Sequence, residues 1–102
     1  MVLMEFSISP LTKGESVSEY VTRSLRIVEQ SGLDYRLHAM GTIVEGELDQ
    51  VLAVLRACME AIAADCDRVS GTAKFDYRRG HAGRLEAKVQ SVEQKLGHKL
   101  KT

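Results

Sequence analysis

The chain has no net charge, only two cysteines, no asparagine and no apolar run long enough to span a bilayer. Each shortage removes a class of function. The 14 basic residues are interleaved with 14 acidic ones, so no basic stripe offers itself to phosphate backbones or anionic lipid. Neither nucleic acid nor a membrane is an expected partner. Cys58 and Cys66 lie within or just after one predicted helix and lack CxxC or Cys/His spacing, which predicts reduced thiols, not a disulfide or metal site. The apolar start, Met1 to Ser9, carries Glu5, has no basic leader and alternates, unlike the continuous run of a secretory signal. A cytoplasmic protein is expected.

What is present suits one compact domain over residues 1–102, since 44% hydrophobic content in 102 residues fills a single core. Val2, Met4, Phe6 and Ile8 alternate with Leu3, Glu5, Ser7 and Ser9, the period of a strand, and Pro10 and Gly14 close it. Ser16 and Glu19 have capping-box spacing, Val17, Val21, Leu25 and Val28 follow at helical spacing, and Gly32 is placed for a left-handed stop. Two short alternating strands over Tyr35–Gly46 flank a tight connection. Leu48, Val51, Leu52, Leu55, Met59 and Ile62 then form a second helical stripe. Residues 68–78 alternate again, and a loop with Gly80 and Gly83 leads to a helix marked by Leu85, Val89, Val92 and Leu96, ending near Gly97. Lys99, Lys101 and the terminal Thr102 are expected to fray.

Strand, helix, strand, strand, helix, strand is the split order of an α+β, ferredoxin-like βαββαβ sandwich, here with an additional C-terminal helix. Two helices cover one sheet face only. By alternation the other face holds Leu3, Glu5, Ser7, Arg36, His38, Met40, Ser70, Thr72, Lys74 and Asp76, with Ile43 and Glu45 if the connection keeps phase. That mixture is too apolar for bulk water and too polar for a core, so a homo-oligomer with the last helix as cover is expected.

Five segments now stand in one order: Ser31-Gly32-Leu33 with Tyr35, Met40-Gly41-Thr42 with Glu45-Gly46, Arg68-Val69, Lys74 to Arg79, and Lys88 to Leu96. Together they resemble the small thiamine-binding, YkoF-like family, over nearly the whole chain. The resemblance implies a ferredoxin-like protomer, assembly into dimers and usually a dimer of dimers, and binding of thiamine or its hydroxymethylpyrimidine moiety without catalysis. It implies no cofactor. The chain departs from the family pattern at His38-Ala39, where a Thr-Pro pair is common, at Met59, where histidine is common, and at Tyr77, where an acidic residue usually follows Asp76.

A thiamine-like ligand needs a few directional polar groups, a slot for a flat ring and a carboxylate near its cation. The residues assigned to it are His38 and Thr42 for hydrogen bonds, Met40 for packing on the ring, Glu45 or Glu5 for the charge, and Tyr20 with Ser18 to close one end. The pocket is expected near the central hairpin, at a subunit contact on the uncovered sheet face. Lys74, Arg78 and Arg79 with Asp76 form a charged patch, read either as an anion site or as a salt-bridge cluster. His81 and His98 have no partner at motif distance, so no metal is expected. No nucleophile–base pair or phosphate-cradling loop is present, and no catalytic residue is assigned. The alternative function is a regulatory or structural interaction module with no small ligand. An acylphosphatase-like hydrolase on this fold would need an Arg and an Asn, and asparagine is absent.

Overall fold

A computed structural model describes residues 1–11 and 18–102. Its elements are β1 (Val2–Pro10), α1 (Ser18–Ser31), β2 (Asp34–His38), β3 (Gly41–Gly46), α2 (Leu48–Ala63), β4 (Val69–Tyr77) and α3 (Arg84–Leu96). The four strands form one antiparallel sheet in the order β2-β3-β1-β4. This is the ferredoxin-like arrangement with its extra helix, as the element order predicts. The predicted Ser16 cap, Val17 and Gly14 lie outside the described residues.

Strand β1 is central because its alternation is complete. Val2, Met4, Phe6 and Ile8 are buried beneath α1 and α2, joined by Val44 of β3. Each such side chain contributes about 1.5–3 kcal/mol by leaving water. Helix α1 ends as expected at Gly32, whose φ of +74° suits glycine. At the start of α2 the Gln50 side chain accepts the Glu47 N–H at 2.9 Å.

The inward stripes of both helices differ from the periodic reading. Helix α1 buries Tyr20, Ser24 and Val28 and leaves Val21 exposed. Helix α2 buries Val51, Val54, Cys58 and Ile62 and leaves Leu48 and Leu52 exposed. The reason lies where the helices meet: the Cys58 thiol reaches the Ser24 carbonyl at 3.7 Å, so small residues occupy the contact and larger ones turn outward. Burial pushes the Cys58 thiol above its ordinary pKa, and both cysteines are free.

Helix α3 lies on the opposite sheet face, against β3 and β2. It buries Leu85 and leaves Val92 and Leu96 exposed. Gly97 caps the helix at φ +82°, and beyond it the Leu100 N–H donates to the Glu93 carboxylate at 2.6 Å. Among the described residues no helix is long and apolar enough to cross a membrane.

Candidate functional site

The hairpin between β2 and β3 turns on Ala39 and Met40, with His38 opposite Gly41. Gly41 is set by sterics. A Cβ there would stand 2.8 Å from the Phe6 carbonyl oxygen, so only glycine lets the hairpin lie on β1. Beside it the Nδ1 of His38 accepts the Met40 N–H at 3.2 Å, which in a neutral ring leaves the hydrogen on Nε2. That Nε2 stands 3.2 Å from a Glu5 carboxylate oxygen, an ion-pair distance without hydrogen-bond alignment.

The hairpin tip separates two cavities. One, of about 300 Å³, lies toward α1 and is lined by Phe6, Ile8, Ser24, Leu25, His38, Met40 and Thr42 among others. The other, of about 510 Å³, lies on the opposite face between the sheet residues Arg36, His38 and Ile43, the α3 residues Leu85 and Val89, and the returned tail at Leu100. His38 belongs to both walls. The first cavity offers an apolar slot with the hydroxyls of Ser24 and Thr42 in its wall, and the second is roofed by α3 and the tail.

The assigned site residues are therefore divided between two faces. Register places Thr42 opposite Phe6, on the face under α1, whereas Glu5, Ile43 and Glu45 point the other way. Met40 and Thr42 meet at the smaller cavity, with Met40 at the turn itself, 84% exposed; His38 lines its edge while its ring faces Glu5 on the other side. Tyr20 is buried one helical turn from Ser24, with the Arg23 guanidinium 4.7 Å over its ring. Arg23 in turn pairs with Asp65 and Glu19, which push its pKa upward. Ser18 opens α1, and its carbonyl accepts the Thr22 hydroxyl at 2.8 Å. Neither Tyr20 nor Ser18 is among the residues lining that cavity.

Glu45 has a different partner. It is 4% exposed, and its carboxylate accepts the Arg84 N–H at 3.0 Å, at the first residue of α3. Arg84, itself 5% exposed, donates to the carbonyls of Met1 at 3.2 Å and Asp76 at 2.7 Å and pairs with the Asp76 carboxylate at 3.2 Å. Lys88 completes the cluster on Asp76, and Lys88 and then Arg84 hold that carboxyl below the usual carboxylate range. The patch thus gathers on Asp76 through Arg84 and Lys88, and not through Lys74, Arg78 and Arg79.

The reading from sequence missed Ser24, Leu25, Phe6 and Ile8 as cavity wall, and Arg84 as the residue that fixes α3. Ser24 carried a signal: it stands four residues from both Tyr20 and Val28, a hydroxyl inside an inward stripe. Arg84 carried little beyond its place after Gly83.

Comparison with known proteins bears on this geometry. A family model described as thiamine-binding protein matches residues 4–93. A UPF0045 protein of Mycobacterium tuberculosis is 43% identical over 96 residues, covering 93% of this chain and 94% of that one. A hypothetical protein of Methanocaldococcus jannaschii, known from a crystal structure, aligns with a TM-score of 0.83 at 34% identity, over 91% of this chain and 96% of that one. A Thermotoga maritima protein assigned provisionally to thiamine biosynthesis or salvage shares the fold, with a TM-score of 0.77 at 20% identity over 89% of this chain and 97% of that one.

Proposed function

Because the chain belongs to the thiamine-binding protein family, we propose that it binds thiamine or its hydroxymethylpyrimidine moiety, without catalysis, in the cavity between α1 and the β2–β3 hairpin. The meeting of Met40 and Thr42 with Ser24 on one space of about 300 Å³, with His38 at its edge, carries this reading. An aminopyrimidine presents ring acceptors and an amino donor on a flat body. Hydroxyls at Ser24 and Thr42 can both donate and accept, and Phe6, Ile8 and Leu25 supply the apolar slot. Met40 at the rim adapts to the ring face as a thioether. Glu5 reaches the site only through His38.

Such a protein buffers, delivers or senses its ligand in the cytoplasm as a homo-oligomer, a dimer of dimers. A cavity with polar groups converging in it supports this reading over an interaction module that has no ligand. Calorimetric titration tests it. Thiamine or hydroxymethylpyrimidine is expected to bind saturably, and Thr42→Val, which keeps shape and removes one hydroxyl, to weaken binding about tenfold. Absence of heat and of any Tm shift with both compounds and their phosphates overturns it.

A further inference from the structure

His38 lines both cavities, yet its side chain takes only one side of the sheet. Register sets it opposite Gly41, and because glycine leaves that position open the ring lies across it: a Cβ at Gly41 would stand 3.7 Å from the ring's Cε1. The ring thereby reaches diagonally over β3 to Glu5 of β1, on the α3 face. Its influence on the smaller cavity runs through the backbone instead. Nδ1 accepts the N–H of Met40 at 3.2 Å, and so pins the turn that carries the Met40 side chain at the cavity rim.

The two ring nitrogens ask for different protonation states. Nδ1 can accept the Met40 N–H only while it carries no hydrogen, in the neutral ring with its hydrogen on Nε2. Nε2 is shielded from solvent, lacks an aligned hydrogen bond and stands 3.2 Å from the Glu5 carboxylate, a position that favours the positive ring. In the imidazolium both nitrogens are donors. The Met40 N–H would then face a second N–H, while the ring's charge meets Glu5. One proton thus exchanges one partner for the other, and histidine is the side chain that takes up such a proton between about pH 5 and 8. The other charged groups around the ring are Lys74 of β4, opposite Glu5, Arg36 of β2, held by Glu86 of α3, and, across the larger cavity, Glu93 and the tail from Lys99 to Thr102. Helix α1 brings the uncharged Val21, Ser24 and Leu25 to the smaller cavity. Glu5 is therefore the charge in direct reach of Nε2.

We propose that His38 is a positioning residue that makes the smaller cavity pH-sensitive: neutral, it holds the hairpin turn by the Met40 N–H; protonated, it releases Met40 in favour of Glu5, and the cavity loses its fixed rim. The sign follows from the bond. Affinity is full where the ring is neutral and falls as pH drops through the histidine range. The consequence for binding rests on the thiamine-binding reading above, whereas the hairpin switch stands on the geometry of His38, Met40 and Glu5 alone. His38 acts here without touching the ligand, through the backbone of a residue that does.

NMR of the ligand-free full chain, with calorimetric titration of thiamine, tests both halves. In the ligand-free protein at about pH 8 the His38 ring should be the tautomer with its hydrogen on Nε2, and the Met40 amide signal should move together with the ring's titration as pH falls to about 5.5. His38→Asn offers a side-chain oxygen to the same N–H two residues on and has no proton to take up, so its Met40 amide should stay in place. The wild-type affinity for thiamine, read as a ratio to that of His38→Asn so that any titration of the ligand cancels, should fall about five- to tenfold over the same range. His38→Ala, with neither acceptor nor charge, should bind about five- to tenfold more weakly than His38→Asn at both pH values. A Met40 amide that does not follow His38 overturns the switch whether or not thiamine binds, and an equal pH dependence in wild type and His38→Asn overturns its control of the cavity. A Met40 amide that follows His38 in a protein that never binds thiamine leaves the switch standing and overturns the binding reading instead.

Discussion

The two cavities that share His38 are built in opposite ways. The smaller one is walled by Phe6, Ile8, Ser24 and Thr42, residues that are also part of the buried interior. Its shape is fixed by the same packing that holds the fold, which is what preorganised binding requires. The larger one is roofed by α3 and the tail: Arg84 on Glu45 and Glu86 on Arg36 hold α3 to the sheet, and Glu93 ties the tail back to α3. Few polar contacts join this roof to the sheet, so it is the part expected to open first. A rigid pocket and a removable cover thus lie back to back on one hairpin.

The strongest way to break the contrast is to cut the roof's buried anchor. Arg84→Met removes the buried guanidinium that ties the Met1 and Asp76 carbonyls and the Asp76 carboxylate to α3, and should cost about 2–3 kcal/mol. Hydrogen exchange should then quicken in α3 while α1 and α2 stay protected; equal loss of protection in all three helices would contradict a separable cover. The opposite side is tested by Gly41→Ala. Its Cβ meets the Phe6 carbonyl at 2.8 Å, so about 1–2 kcal/mol of stability should be lost together with ligand affinity. An unchanged Tm and affinity would show that the hairpin floor yields.

A pH series sharpens the difference further. Asp76 is held low by Lys88 and Arg84, so its folded-state pKa lies below its unfolded one. Its contribution is complete above about pH 4 and is lost as pH falls through the lower, folded-state value. Asp76→Asn should flatten the acid limb of the stability curve, the two proteins converging at low pH; parallel curves would place the acid sensitivity elsewhere. The smallest effect is expected from Glu93→Ala, which frees the Leu100 N–H and should cost less than about 1 kcal/mol. Its readout is faster exchange confined to the last residues.

The sheet was legible because strand alternation reports burial directly: Val2 to Ile8 gave β1 its inward face, and Gly32 and Gly97 marked two helix ends by the conformation only glycine takes easily. The helices were legible in extent and not in rotation. Periodicity favours the largest apolar side chains, whereas a close helix crossing selects small ones, and Ser24 and Cys58 took the positions that Val21 and Leu52 seemed to claim. The candidate site suffered from the same limit in another form. His38, Met40 and Thr42 were grouped by proximity along the chain; Met40 and Thr42 do share a cavity wall, while the His38 ring turns to Glu5. Glu5 and Glu45 were joined to them through a shared face, yet Thr42 lies on the other side of the sheet, and Glu45 is held by a backbone N–H of residue 84, far along the chain, which spacing does not reveal.

Gly41 has a consequence for how such a scaffold changes its preferences. Its neighbour across the sheet is a backbone carbonyl, which no substitution can shorten, so position 41 is closed to variation whatever the ligand. The residues just before it, His38, Ala39 and Met40, face no such barrier; Met40 stands almost wholly in solvent. The hairpin is therefore a fixed mount carrying exchangeable side chains. Recognition can be rewritten there at little cost to folding, and a small library over residues 38–40 is a natural starting point for redirecting this protein to other flat heterocycles.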